Sequence, residues 1–168
     1  GVELYEPGAL TLVVRAGTPL AEVERVLAAD RQRLAFEPPD LRGLLWREGV
    51  STIGGVVAAN ASGPRRVQVG ACRDACLGVR FVDGSGTVIK NGGRVMKNVT
   101  GYDLVKFMAG AWGTLGVFTE VSFKLTPIPE TEATATRRAA HLGNLNRKAQ
   151  DAVALTQYWK HLPNELRL

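Results

Sequence analysis

The sequence has few of the residues that most catalytic and metal sites need. It contains 2 histidines and 2 cysteines among 168 residues. His141 and His161 lie close to the C-terminus, far along the chain from Cys72 and Cys76, so no Ser–His–Asp or Cys–His set can be assembled from neighbouring motifs. The C-x-x-x-C spacing of the cysteines is neither a C-x-x-C redox motif nor half of a zinc site. We therefore expect no metal centre, and we interpret both cysteines as small, partly apolar side chains.

Long apolar runs are missing as well. No stretch approaches the ~18 apolar residues of a membrane span, and the opening residues, GVELYEPGAL, lack the basic start and apolar middle of a signal peptide. A cytoplasmic location is the simplest expectation. The net charge of +5 permits an anionic partner. Because interleaved aromatic residues and a base-reading motif are absent, we expect no nucleic-acid partner, although charge alone leaves that class open.

The N-terminal part is predicted to form a strand followed by a surface helix. β-Branched residues are frequent from Leu10 to Gly17, as they are in strands. Thr18 is predicted to cap the helix, with Pro19 in its first turn. Helical spacing then gives the helix one apolar face, formed by Leu20, Val23, Val26 and Leu27.

The centre of the chain alternates predicted strands with turns. Residues 77–82 and 87–90 read as a hairpin whose turn is 83–86. The stretch GYDLVKFMAG predicts a short helix with Leu104, Phe107 and Met108 facing inward, and the strand after it alternates apolar and polar residues. We therefore expect an α+β domain in residues 1–130, with a mixed sheet and flanking helices. Residues 131–168 are predicted to be a helical tail that packs on the domain or on a partner.

Two stretches rich in small residues are the candidates for chemistry. In IGGVVAANASG, Gly54 and Gly55 are expected to permit positive φ and close approach to a ligand, while Asn60 and Ser62 supply hydrogen bonds. Successive backbone N–H groups there can form an anion-binding concavity. A tight turn packed under another element is the alternative. The second stretch, GAWGTLG, has a G-x-x-G-x-x-G spacing, which is not the dinucleotide fingerprint.

Four motifs in a fixed order carry a family resemblance. They are T-I-G-G-x-x-A-x-N-x-x-G, R-D-x-x-L-G, K-N-x-x-G-Y-D-L and G-T-L-G-V. In this order they resemble the FAD-binding domain of the vanillyl-alcohol oxidase (PCMH) type, with the closest likeness to the FAD-binding E subunit of bacterial glycolate oxidase. The resemblance covers residues 2–130. It implies two small α+β subdomains that clamp an extended FAD, of which this chain holds the second and part of the first.

The resemblance also implies which residues contact FAD. Its motifs place these positions against the cofactor: Gly54, Gly55, Ala58, Asn60, Ser62, Gly63, Gly70, Asp74, Gly113, Gly116 and Val117. The family's glycine-rich pyrophosphate loop and its substrate-binding cap have no counterpart in this sequence. Related flavoenzymes take the groups that bind and deprotonate the hydroxy acid largely from that cap. No catalytic residue is therefore assigned.

The resemblance implies a function for the assembly to which such a chain belongs. By this resemblance, the chain is expected to be an FAD-binding component of a 2-hydroxy-acid dehydrogenase, and glycolate is the expected substrate of the whole assembly. The expected partners are a second flavoprotein subunit and an iron–sulfur subunit, at the inner face of the cytoplasmic membrane. Two alternatives stay open, namely a non-catalytic module that binds FAD or docks on partners, and a truncated remnant that binds nothing tightly.

Overall fold

The structure, a computed structural model, describes residues 1–46, 48–95 and 101–130. The chain divides into two compact units. The first contains Gly1–Pro39 and Val50–Ile128, and every site considered below lies within it. The second contains Asp40–Gly49 and continues from Pro129. The predicted helical tail, 131–168, lies outside the described residues, so the boundary expected at residue 130 stays a prediction.

An antiparallel sheet forms the centre of the first unit. Five strands pair in the order β1-β2-β6-β4-β5, and a separate two-stranded sheet pairs β3 with β7. The strands are β1 (Val2–Glu6), β2 (Thr11–Arg15), β3 (Gln32–Arg33), β4 (Cys76–Val82), β5 (Val88–Gly92), β6 (Val117–Lys124) and β7 (Thr126–Pro127). A mixed sheet was expected, but every pairing among the described strands is antiparallel. The predicted α+β class is confirmed.

The described residues contain six helices beside the sheet, and all but the first are short. They are α1 (Leu20–Ala29), α2 (Arg42–Leu45), α3 (Ile53–Ala58), α4 (Arg66–Val69), α5 (Cys72–Ala75) and α6 (Leu104–Met108). A short 3-10 turn, Pro7–Ala9, connects β1 to β2. Because helices of four to six residues are marginal by themselves, their stability has to come from caps and packing.

The core lies between one face of the sheet and the helices. Helix α1 buries Leu20, Val23 and Leu27, as its spacing predicts, while Val26 is half-buried. Strand β6 contributes Phe123, whose ring centroid lies 5.9 Å from that of Phe36. Each such side chain contributes ~1.5–3 kcal/mol when it is fully buried. Burial and the neighbouring carboxylate of Asp30 raise the pKa of Tyr5, on β1, to about 12.

The predicted hairpin is present, and an aspartate fixes its turn. One carboxylate oxygen of Asp83 accepts hydrogen bonds from the backbone N–H groups of Ser85, at 2.8 Å, and of Thr87, at 2.9 Å. The same oxygen accepts a bond from the Ser85 hydroxyl at 2.7 Å. Together these bonds lower the pKa of the Asp83 carboxyl, and the bond from the Ser85 hydroxyl has the largest effect. The turn therefore holds β4 and β5 in their register.

Two local predictions were wrong. Thr18 does not cap α1, because its buried hydroxyl donates to the carbonyl of Gly1 at 3.1 Å and Pro19 occupies the N-cap position. Phe107 does not face inward, since 65% of its surface is exposed. Val105 and Met108 form the buried face of α6 instead. Asp103 caps this helix, with its carboxylate accepting from the backbone N–H of Lys106 at 3.1 Å.

Candidate functional site

Helix α3 carries the first glycine pair, and its two glycines have different surroundings. Thr52 occupies the N-cap, and its hydroxyl accepts from the N–H of Gly55 at 3.4 Å. Gly54 donates its N–H to the carbonyl of Ala16 at 2.7 Å, and a Cβ added there would lie 2.9 Å from the Ala16 Cβ. Gly54 therefore allows α3 to pack closely against the end of β2.

The backbone of this helix corrects two parts of the sequence interpretation. Neither Gly54 nor Gly55 has a positive φ, because both belong to a regular helical turn. The N–H of Ile53 donates to the carbonyl of Thr18 at 3.0 Å, and the Gly54 N–H is used as well. The first turn of α3 therefore does not offer these N–H groups to an anion.

Gly55 is the position on α3 where a ligand can come close to the backbone. It is exposed, and the nearest atom to an added Cβ would be the Thr52 hydroxyl oxygen at 3.5 Å, an ordinary contact. Since a helix interior ordinarily favours alanine over glycine by ~1 kcal/mol, an exposed helical glycine without a packing partner has no structural reason to be there. Close approach of a ligand would supply one.

Asn60 and Ser62 join the end of α3 to the beginning of α5. Asn60 has a φ of 48°, a left-handed conformation that asparagine tolerates better than most residues. Its side-chain oxygen accepts from the N–H of Arg73 at 3.0 Å. The Ser62 hydroxyl accepts from the N–H of Cys72 at 2.8 Å and donates to the carbonyl of Asn60 at 3.0 Å. Both side chains therefore satisfy N–H groups of the first turn of α5.

The next predicted residues are also held by local contacts. A Cβ on Gly63 would collide with the carbonyl oxygen of Glu37, to which the Gly63 N–H donates at 2.9 Å. Gly70 has a φ of 87°, and a Cβ there would lie 3.0 Å from the Cβ of Asp74. The carboxylate of Asp74 accepts from the N–H of Ala71 at 2.8 Å. These three residues have structural roles whether or not they also contact a cofactor.

The second glycine stretch closes onto the C-terminal end of α3. The N–H of Gly110 donates to the carbonyl of Val57 at 3.0 Å, and that of Trp112 donates to the carbonyl of Ala58 at 2.9 Å. These bonds occupy carbonyl groups that a helix end otherwise leaves without partners. The two stretches that the sequence analysis singled out are therefore adjacent in the structure.

Within this second stretch, Gly113 differs from its neighbours. It has a φ of 77°, and nothing lies within 4 Å of a Cβ added to it. At Gly116, by contrast, an added Cβ would lie 2.6 Å from the carbonyl oxygen of Val82. Val117 begins β6 and is 67% exposed. Of the glycines predicted to contact a cofactor, Gly55 and Gly113 are thus the two where an added Cβ would meet no close contact. Trp112 lies next to Gly113 and is 74% exposed. It was not among the predicted site residues.

Acidic residues partly neutralise the arginines near the first stretch. The Arg65 Nε lies 3.6 Å from a carboxylate oxygen of Glu37, and the Arg33 Nη1 lies 3.6 Å from the same oxygen. The Arg73 Nε lies 3.9 Å from a carboxylate oxygen of Asp74. Partly exposed pairs of this kind contribute ~0–1 kcal/mol. The arginines are therefore not a free cluster of positive charge.

The two cysteines are buried inside the first unit, which does not favour reaction of their thiols. Cys72 is fully buried and Cys76 is 7% exposed. A hydrogen bond with the Cys72 thiol, and then burial, raise the pKa of the Cys76 thiol well above its usual value. The described residues contain no group of three or more His, Cys, Asp or Glu side chains that could hold a metal ion. They also include no helix that is long and apolar enough to cross a membrane.

Comparison with known proteins gives consistent matches to flavoproteins. A family model described as "FAD binding domain" matches residues 1–92. The chain is 42% identical over 137 residues to glycolate oxidase subunit GlcE of Escherichia coli (strain K12), covering 82% of this chain and 37% of that protein. It is 38% identical over 125 residues to glycolate oxidase subunit GlcD of Bacillus subtilis (strain 168), covering 74% of this chain and 25% of that protein.

A third relative and a solved structure extend the comparison. A D-2-hydroxyglutarate dehydrogenase of Xanthomonas citri pv. viticola is 38% identical over 119 residues, covering 71% of this chain and 24% of that protein. The structure of an alkyldihydroxyacetonephosphate synthase superposes with a TM-score of 0.60 at 24% identity, covering 78% of this chain and 22% of that one, which shows a shared fold. The chain spans little more than a third of the GlcE length and about a quarter of the others.

Proposed function

The chain belongs to the family of FAD-binding domains, as its motifs predicted, and from this membership we propose that it is the FAD-binding component of a flavin-dependent dehydrogenase of 2-hydroxy acids. The cofactor is FAD, and glycolate is the substrate that we propose for the whole assembly. The residues that contact FAD and the partners of the chain are part of the same proposal.

The observation that carries the proposal is the pair of open glycines on two joined segments. The bonds from Gly110 and Trp112 to the carbonyl groups of Val57 and Ala58 tie the second stretch to α3. Each segment then presents one glycine, Gly55 or Gly113, where an added Cβ would meet no atom closer than 3.5 Å. A large planar cofactor needs such places for close approach to the backbone. The room at these two backbone positions supports the proposal that FAD lies against them.

The residues of this chain have holding roles in the proposed enzyme. Bound FAD supplies the acceptor for the hydride equivalent that leaves the alcohol carbon, while the protein supplies position and electrostatics. Gly55 and Gly113 leave room for the cofactor. Asn60 and Ser62 hold α5 against the end of α3 and so keep the binding surface in shape. No described residue is assigned to proton transfer.

The substrate class follows from the chemistry that the relatives' names share. Glycolate, D-lactate and D-2-hydroxyglutarate each carry a hydroxyl group on the carbon next to a carboxylate, and relatives of this chain bear all three names. Two of these relatives are named as subunits of glycolate oxidase. In line with the family resemblance, we propose that this chain assembles with a second flavoprotein subunit and an iron–sulfur subunit, in the cytoplasm, at the inner face of the membrane.

A non-catalytic FAD-binding or docking module is the second candidate. What favours it is the chemistry of the proposed contact residues, which are mainly glycine, alanine, asparagine and serine. The one carboxylate among them, that of Asp74, is engaged by the N–H of Ala71. A module of this composition holds a cofactor but leaves substrate binding to other residues.

Anaerobic reduction separates the two candidates. The chain, alone and with candidate partner subunits, is loaded with FAD, and the visible flavin band is followed after addition of glycolate, D-lactate or acetate. Bleaching by the 2-hydroxy acids, and not by acetate, is the result expected of the dehydrogenase component. Retention of FAD without bleaching in every combination would support the module instead. Failure of a folded chain to retain FAD in any combination would contradict the dehydrogenase component and an FAD-binding module, and would leave only a docking module.

A further inference from the structure

We propose that Trp112 is an aromatic platform on which a planar ring of bound FAD stacks. The inference rests on the proposed function, because it assigns a role in cofactor binding to a residue that the motifs did not indicate. It depends on the conformation of Trp112, on the loop that holds it and on the two glycines near it, Gly110 and Gly113.

Trp112 is held in an unfavourable backbone conformation with its side chain in water. Its φ is 55°, and 74% of its surface is exposed. For a bulky aromatic residue the left-handed region is a genuine outlier. Since the indole gains little from burial here, packing within this unit does not explain either property. Such outliers are frequent where a ligand is bound.

The loop around Trp112 is fixed by hydrogen bonds. The N–H of Ala111 donates to the carbonyl of Met108 at 3.1 Å, and the N–H of Thr114 donates to the carbonyl of Ala111 at 3.0 Å. The Thr114 hydroxyl also donates to the Ala111 carbonyl, at 2.6 Å. Together with the bond from Trp112 to Ala58, these contacts hold the exposed residue on a rigid turn. A preorganised aromatic side chain loses little freedom when a ligand binds to it.

Two glycines close to Trp112 in the sequence leave its ring accessible. Gly110 and Gly113 have φ values of 89° and 77° and carry no side chain. A Cβ on Gly110 would lie 3.3 Å from the Cβ of Asn60, which places this loop directly against the first small-residue stretch. Among the described residues the one pair of contacting aromatic rings is Phe36 with Phe123, so Trp112 has no ring partner there.

FAD contains two rings that an indole can stack on, the isoalloxazine and the adenine. Aromatic rings prefer offset stacked arrangements, and stacking of a base on a protein aromatic contributes substantially to affinity. The shared chemistry is a planar heteroaromatic ring. FMN carries the isoalloxazine alone and ADP the adenine alone, so the two ligands separate the possibilities.

The test uses intrinsic fluorescence, because Trp46, Trp112 and Trp159 are the only tryptophans in the sequence. In the Trp46→Phe, Trp159→Phe double variant, Trp112 is the single reporter. We expect FAD to quench its emission strongly, and either FMN or ADP to reproduce the quenching, which identifies the ring. Emission that stays unchanged while FAD is bound, as judged by retention of the visible flavin band, would overturn the proposal and leave the proposed function standing.

Affinity provides the second readout. We expect Trp112→Ala to raise the FAD dissociation constant about tenfold, whereas Trp112→Phe retains most of the affinity. Trp112→Gly relieves the positive φ, so it should raise the melting temperature while it weakens FAD binding. Phe107→Ala, at an exposed residue on α6 (65% exposed), is the matched control and should change neither. Equal affinity of wild type and Trp112→Ala would also overturn the proposal, and absence of FAD binding to the wild type would contradict the proposed function itself.

Discussion

Adding a side chain to Gly55 should weaken FAD binding without destabilising the fold. Adding a side chain to Gly54 should instead destabilise the fold. The two residues are neighbours in the first turn of α3. A Cβ on Gly54 would lie 2.9 Å from the Ala16 Cβ and 3.1 Å from the Ala16 carbonyl oxygen, and a Cβ on Gly55 would meet its nearest atom at 3.5 Å. The pair therefore separates packing from ligand approach.

The expected stability changes have opposite signs. Gly55→Ala should stabilise the protein by ~0.5–1 kcal/mol, because glycine is the poorer residue in a helix. Gly54→Ala should destabilise it by ~1–3 kcal/mol, the usual cost of overpacking a tight contact. For a chain of this size, 1 kcal/mol corresponds to a shift of ~2–4 °C in the melting temperature. Thermal unfolding measured by circular dichroism resolves both changes.

Binding should not follow stability. We expect Gly55→Val to raise the FAD dissociation constant at least tenfold, or ~1.4 kcal/mol, because the branched side chain fills the space that the cofactor needs. Gly55→Ala should weaken binding by less. Titration of flavin fluorescence at a temperature where all variants are folded gives the comparison. If Gly55→Val bound FAD as tightly as the wild type, the proposal that this turn faces the cofactor would be refuted.

Three further predictions follow from single contacts. Gly63→Ala should lower the melting temperature, because its Cβ would collide with the carbonyl oxygen of Glu37 at a cost of ~1–3 kcal/mol; an unchanged melting temperature would contradict this. Cys72 and Cys76 are buried and the pKa of Cys76 is raised, so iodoacetamide at neutral pH should label them only in denaturant, and rapid labelling of the native chain would contradict that. The pKa of Tyr5 is raised from 10.0 to about 12, so its stabilising effect is present below pH 10 and lost as the pH rises through 12. Over that range the wild type should lose more stability in urea titrations than Tyr5→Phe does, and parallel losses would contradict the assignment.

Features set by local chemistry could be predicted from the sequence. The β-branched run forms β2. The spacing of Leu20, Val23 and Leu27 predicted the buried face of α1. The predicted turn at 83–86 is present and is held by Asp83. The family was predicted from the order of its motifs. In each case residues near one another in sequence determine the outcome, so the pattern alone is sufficient.

Features that depend on distant contacts could not be predicted. Gly54 is required because α3 packs against Ala16, and in a sequence such a glycine looks the same as one that permits positive φ. Phe107 was placed on the wrong face because α6 has five residues, too few for the apolar spacing to define its orientation. Trp112 directly precedes the G-T-L-G-V motif, and its exposure and backbone conformation become evident only in three dimensions.

The flavin content of the folded chain tests the central claim most directly. The purified chain is incubated with excess FAD and passed through a gel-filtration column, and the visible flavin band and the protein concentration of the eluted peak give the stoichiometry. Because the proposed binding surface lies within the first unit, the account predicts FAD eluting with the chain in a one-to-one ratio. A folded chain that elutes without flavin would contradict the claim that these residues form an FAD-binding surface.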